Sequence, residues 1–153
     1  MTHLNLLVVE GNLPNENQNF KNSGIKTHAE SLQESLAYYS KDLNIDVFNP
    51  CAEKSFDKIM PNIKKYDGLI WGGSSLNIYN DCIEIRRQIA FMKECFKNIK
   101  NILAICWGMQ VAVTAAGGDE DAPPAEPCDQ AGERGESGCD ESVASAAGGA
   151  GAA

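Results

Sequence analysis

The chain has 153 residues, about the length of one domain, and 43% of them are hydrophobic, enough for a modest core. Thirteen Lys and Arg against 21 Asp and Glu give a formal net charge of -8, but nine of the acids and a single base, Arg134, lie in 119–153, so residues 1–118 are neutral. A neutral body without basic clusters argues against nucleic acid as a partner, and no apolar run reaches the ~20 residues that span a membrane.

Residues Met1 to Asn5 lack the basic flank and small-residue cleavage site of a signal peptide, so a soluble cytoplasmic protein is expected. Leu4 to Gly11 form a near-continuous apolar run ended by Gly, the pattern of a strand buried on both faces. Residues 12–24, rich in Asn with Pro14 and Gly24, read as a loop. Thr27-x-x-Glu30 matches a capping box, and Ala29, Leu32, Leu36 and Tyr39 follow at helical spacing to about Lys41. Ile45 to Phe48 read as a second strand, closed by Asn49-Pro50. Phe56, Ile59, Met60 and Ile63 suggest a short helix with Pro61 in its first turn or at a kink. Asp67 to Gly73 read as a turn and a third strand entering a Gly-Gly loop. Asp81-x-x-Glu84 is expected to open a helix that carries Ile85, Ile89, Met92 and Phe96 on one face. Asn101 to Cys106 form a fourth strand, and Gly108 to Ala116 the helix that leaves it.

The composition changes at one point. Residues 1–118 hold 13 Asn, 12 Ile and 10 Lys, whereas 119–153 hold none of these and are rich in Ala, Gly and Pro. The domain is therefore placed at 1–118, followed by an acidic Ala/Gly-rich segment too poor in large apolar residues to offset the entropy of ordering, which is expected to be disordered. An acidic interaction tail or a linker has this character. A foreign segment, a fusion or a shifted frame fits better, because Asn, Lys and Ile use AT-rich codons and Ala, Gly and Pro use GC-rich ones.

Strands alternating with helices imply a parallel sheet covered on both sides, with ligands beyond the carboxyl ends of the strands. Glu10-Gly11, Gly72-Gly73-Ser74-Ser75 and Cys106-Trp107 fall there. Ala104 lies two residues before Cys106 and Gly108 two after, so small residues flank the Cys as a sharp strand-to-helix turn requires. A thiol at a helix start gains thiolate character from unpaired N–H groups, which can also receive an oxyanion. A buried strand-end Cys ahead of an ordinary helix has the same spacing. The other cysteines show no C-x-x-C pair, and with only His3 and His28 in the chain no metal site is expected.

Ala104-Ile105-Cys106-Trp107-Gly108-Met109-Gln110, with Gly117-Gly118 after it, resembles the nucleophile motif of class I glutamine amidotransferases, above all the glutaminase part of GMP synthetases. Asp67-Gly68-Leu69-Ile70-Trp71-Gly72-Gly73-Ser74 is similar to that family's oxyanion strand, with Trp71 and Ser74 departing from the commonest residues. The resemblance implies a flavodoxin-like three-layer α/β fold with a parallel sheet, here incomplete because the family's sheet continues after the Cys-bearing turn. It implies that Cys106 attacks the carboxamide of glutamine, forms a glutamyl thioester and releases ammonia. The N–H groups of Gly73 and Trp107 would hold the oxyanion, and Gly72 and Gln110 would line the substrate pocket. Each also has a plain reading: a tight turn at Gly72-Gly73, a hydrophobic cover at Trp107, a solvated helix residue at Gln110.

The related peptidase and chaperone branch often has His after its Cys and needs no Gln four residues on, so Trp107 and Gln110 favour the amidotransferases. The family's base and acid come from a His-x-Glu or His-Pro-Glu well after the Cys, and no histidine follows Cys106 here. His3 and His28 are expected at the surface, and Glu10 alone is a poor substitute for imidazole. A chain that carries the nucleophile but barely turns over is expected, with apolar sheet surface left uncovered. The alternatives are a non-catalytic interaction module, a misread-frame fragment of the same fold, or a γ-glutamyl hydrolase relative. The substrate would be glutamine or a γ-glutamyl compound, with a separate ammonia-accepting synthetase as a possible partner. No cofactor is implied, because thiol chemistry on an amide needs none.

Overall fold

A computed structural model describes residues 3–52 and 56–117. The expectations for 119–153, and with them the division of the chain at 118, lie outside the described residues. The elements run β1 (Leu4–Val9), α1 (Pro14–Asn22), α2 (His28–Tyr39), β2 (Leu43–Phe48), a 3₁₀ turn (Met60–Lys65), β3 (Gly68–Trp71), α3 (Ile83–Asn98), β4 (Ile102–Ala104) and α4 (Trp107–Gly117).

All four strands are parallel, in the order β2-β1-β3-β4. This is a flavodoxin-like order, in which the crevice for ligands opens where the strand order reverses, here between β1 and β3. The alternation of side chains along β1 and β3 sorts the layers. Leu7, Val9, Leu69 and Trp71 face a core built with Ile85, Phe91 and Met92 of α3, Ile63 of the 3₁₀ turn, and Trp107 and Val111 of α4. Phe91 sits at its centre, its ring centroid 4.7 Å from that of Phe48 and 6.0 Å from that of Trp71. The opposite face is covered by α2 over β1 and β2.

That cover stops short of β4. Leu6, Gly68, Ile70 and Leu103 line an open cleft, Leu103 is 54% exposed, and on α4 Met109 and Val113 face solvent. Apolar surface at β4 and α4 is thus exposed among the described residues.

Two local readings are corrected. Residues 12–24 are not a loop, because Pro14 to Asn22 form α1. Pro14 stands in its first turn, where a missing N–H costs nothing and the ring presets φ, and Glu16 and Lys21 match the ends of the helix dipole. The helix buries no residue, so it carries no apolar period to read. At α3 the N-cap is Cys82, without a side-chain cap bond. Asp81 instead accepts from Nε of Arg86 at 2.6 Å, so the supposed capping box is an ion pair along the helix face. The capping box of α2 is present in full: Glu30 N–H donates to Thr27 Oγ1 at 3.2 Å, and Thr27 N–H to Glu30 Oε2 at 2.9 Å.

Candidate active site

The carboxyl ends of β1, β3 and β4 meet at one edge of the sheet. Beyond β4 the chain turns at Cys106, whose φ is +54°, the sole non-glycine positive φ among the described residues. An L-residue there costs roughly 1–2 kcal/mol, and such strain gathers at functional turns. The turn is held from both sides. Ile105 N–H donates to the Trp71 carbonyl at 2.9 Å, and Gly108 N–H donates to the Gly72 carbonyl at 3.1 Å. A Cβ on Gly108 would lie 2.4 Å from the Trp71 carbonyl oxygen, so this position accepts hydrogen alone.

Cys106 is exposed and free, which excludes the reading of a buried strand-end thiol. Replacing it by Gly is expected to raise stability by about 1 kcal/mol over Cys106→Ala, because only Gly relaxes at this φ. Urea denaturation of the two variants measures the difference; equal midpoints would mean that the backbone at 106 is unstrained.

Of the residues singled out by sequence, Gly72, Gly73, Cys106 and Trp107 come together, since the bond from Gly108 to Gly72 joins the β3 loop to the start of α4. As the first residue of α4, Trp107 has no carbonyl within the helix for its N–H to reach. Its indole is buried, so Trp107 serves the core through its side chain while its amide stands at the turn. Gln110 is exposed in the first turn of α4, its N–H donated to the Cys106 carbonyl at 3.2 Å. Trp71, an unusual residue for the motif, points into the core. Ser74, the other departure, pins the loop: its hydroxyl lies 3.1 Å from the Gly11 carbonyl and 2.9 Å from Asn12 Oδ1.

Glu10 is 3% exposed, and each carboxylate oxygen accepts a backbone amide, Asn12 N–H at 3.1 Å and Ala29 N–H at 3.0 Å. It braces β1 against the N-terminus of α2, where the helix dipole favours an anion.

Three contributors were missed by sequence reasoning. Asn12 is fully buried and its Oδ1 accepts Ser75 N–H at 2.9 Å, shaping the loop after Gly73. Gln88 is fully buried beneath Trp107, accepting the indole N–H at 2.7 Å. His28 is exposed as expected, yet its ring lies against Gly73, 3.2 Å from where a Cβ would stand, with Phe20 edge-on at 6.2 Å. Polar residues without a motif give no periodic signal; a buried Gln on the apolar stripe of α3 was the one available hint. The remaining free thiols among the described residues, Cys51 and Cys95, are buried, and burial pushes both up to about 12.

The chain matches the family model for glutamine amidotransferase class-I over residues 25–148, a span that runs past Gly118. Among curated proteins it is similar to a gamma-glutamyl-L-1-hydroxyisopropylamide hydrolase of a Pseudomonas species, 29% identical over 119 residues, which is 78% of this chain and 40% of that protein. The chain thus spans well under half the length of the curated relative it matches. No solved structure matches it. With a parallel sheet in flavodoxin-like order, a strained cysteine at the end of β4 and a family match over most of its length, the chain belongs to the class-I glutamine amidotransferases.

Proposed function

We propose that Cys106 is the nucleophile of a γ-glutamyl amide hydrolase site, set on a nucleophile elbow of the kind found in glutaminase domains. The thiolate adds to the γ-carboxamide carbon. The N–H groups of Gly73 and Trp107 hold the resulting oxyanion, and collapse breaks the C–N bond as nitrogen takes a proton and leaves as ammonia. Water then cleaves the thioester, giving glutamate and the free thiol. Gly72 and Gln110 line the pocket for the glutamyl group. The observation that carries this reading is the exposed Cys106 at φ +54° between Trp71 and the start of α4.

The 153-residue polypeptide has no histidine after Cys106 to take the thiol proton and return it to the leaving nitrogen. It is therefore proposed to turn glutamine over very slowly in the cytoplasm, unless a separate chain supplies these groups. Ammonia release from glutamine is expected at least ~100-fold below a fully equipped site, given the usual weight of general acid–base catalysis. Turnover abolished by Cys106→Ala but undiminished by deleting 119–153 would defeat the inactivity. The similar hydrolase named for a γ-glutamyl alkanolamide favours a second substrate reading, in which a γ-glutamyl N-alkylamide replaces glutamine and an amine leaves. Parallel assays with glutamine and a γ-glutamyl alkylamide separate the two, and the GMP-synthetase-like reading requires glutamine to be preferred.

A further inference from the structure

Gln88 is 0% exposed, and each polar atom of its side chain is engaged. Its Oε1 accepts the Trp107 indole N–H at 2.7 Å, and its Nε2 donates to the Gly11 carbonyl at 3.0 Å and faces Cys51 Sγ at 3.0 Å. The indole N–H can only donate, so the amide orientation is set by chemistry. The same Gly11 carbonyl lies 3.1 Å from Ser74 Oγ, which follows Gly73 directly. Gly11 permits this convergence because it lacks a side chain: a Cβ there would stand 2.6 Å from Trp107 Cδ1 and 3.2 Å from Ser74 Cβ. The Gly73 loop and the Trp107 turn thus hang on one carbonyl, and Gln88 is the side chain that bridges α3 to both.

We infer that Gln88 is a positioning residue: through the Trp107 indole and the Gly11 carbonyl it fixes the spacing between the amides of Gly73 and Trp107. The inference rests on the reading of Cys106 as nucleophile with those amides as oxyanion donors. Gln88 is too deep to touch substrate, so it acts on the turn alone. A buried amide costs free energy unless every group is paired, and on the apolar face of α3 a Leu or Met would pack as well. Here two of its three bonds, to the Gly11 carbonyl and the Trp107 indole, end at the site, and the third reaches the buried Cys51.

The test uses the full chain and two thiol reagents. The chloroketone analogue of glutamine forms an S–C bond as chloride leaves, and its carbonyl oxygen draws on the two amides; iodoacetamide requires only an exposed thiol. Gln88→Met keeps length and apolar packing but makes none of the bonds. It is expected to lower the maximal rate of Cys106 alkylation by the chloroketone about tenfold or more, as misplaced oxyanion donors do. The half-saturating concentration and the iodoacetamide rate should hold within about twofold. Trp107→Phe, which removes the indole N–H along with part of the buried ring, is expected to reproduce the chloroketone loss, and the double variant to be no slower than the slower single one, since both break one link. This second variant keeps the test open should Gln88→Met melt early. Parallel loss with both reagents, additive single effects or an unchanged chloroketone rate would each overturn the inference. Wild-type Cys106 that ignores the chloroketone would sink the nucleophile reading itself, a different result from wild-type labelling that Gln88→Met leaves intact.

Discussion

The chloroketone analogue of glutamine is expected to label the wild-type chain at a single site, Cys106, and Cys106→Ala to lower that labelling at least ~100-fold, since a removed nucleophile leaves no substitute. Cys106 is exposed. Cys51 is held back by burial first and by the nearby Glu84 charge second, which together push its thiol up to about 12. Cys95 is buried likewise, and its thiol is also pushed up to about 12. At pH 8 such thiols stay protonated, and the thiolate is the reacting form. Cys128 and Cys139 lie outside the described residues, so peptide mapping and a Cys128→Ser/Cys139→Ser background complete the measurement. Glutamine in excess should protect Cys106 from the chloroketone and leave iodoacetamide labelling of the other cysteines unaffected. Label spread over several cysteines, or no protection by either glutamine or a γ-glutamyl alkylamide, would remove the case for a substrate pocket.

Gly108→Ala should be the most damaging Gly→Ala change among the described residues. The added Cβ would stand 2.4 Å from the Trp71 carbonyl oxygen and 2.8 Å from Trp71 Cβ. Neither neighbour can swing aside, since one is strand backbone and the other belongs to a fully buried side chain. The start of α4 must move outward, stretching the bond from Gly108 N–H to the Gly72 carbonyl and reopening the turn at Cys106. We expect a loss of about 3 kcal/mol in unfolding free energy, the upper part of the range for overpacked cores. Chloroketone labelling should fall about 100-fold, as a displacement near 1 Å does elsewhere. Gly117→Ala is the control: apart from its chain neighbours and its own helix backbone, no described atom lies within 4 Å of the added Cβ, and it should change neither quantity. Thermal melts and labelling rates of the two variants decide the matter, and a Gly108→Ala protein that matches wild type in both would show that α4 is not held against β3.

Much of the scaffold was legible because apolar period and punctuation agreed. Leu4 to Gly11 and Gly68 to Trp71 became central strands, and Thr27 with Glu30 capped α2 as written. The reading failed where a helix has no buried face: α1 offers only Asn-rich polar residues, so its Pro14 was taken as loop punctuation instead of a helix start. It failed again at Asp81, which lies before the N-cap Cys82 and pairs its charge with Arg86 of α3 instead of capping the helix. At the site, Cys106 and its small neighbours stood out because a tight turn limits residue size within two positions. Glu10 was noticed for its place at a strand end, and in the fold it is a brace tied to the amides of Asn12 and Ala29.

The order of strands and helices, the turn at Cys106 and the loop at Gly72-Gly73 were set by the amino-acid sequence itself, because these depend on interactions within a few residues of chain. The pairing of β3 with both β1 and β4 was decided by the tertiary structure alone. So was the meeting of Ser74 and Gln88 at the Gly11 carbonyl, with Asn12 bonded to Ser74 and Trp107 to Gln88, and the approach of His28 to Gly73. Hydrogen bonds among them join residues up to 77 positions apart. They form because buried polar groups must find partners wherever packing brings them, and no local pattern announces which partner that is.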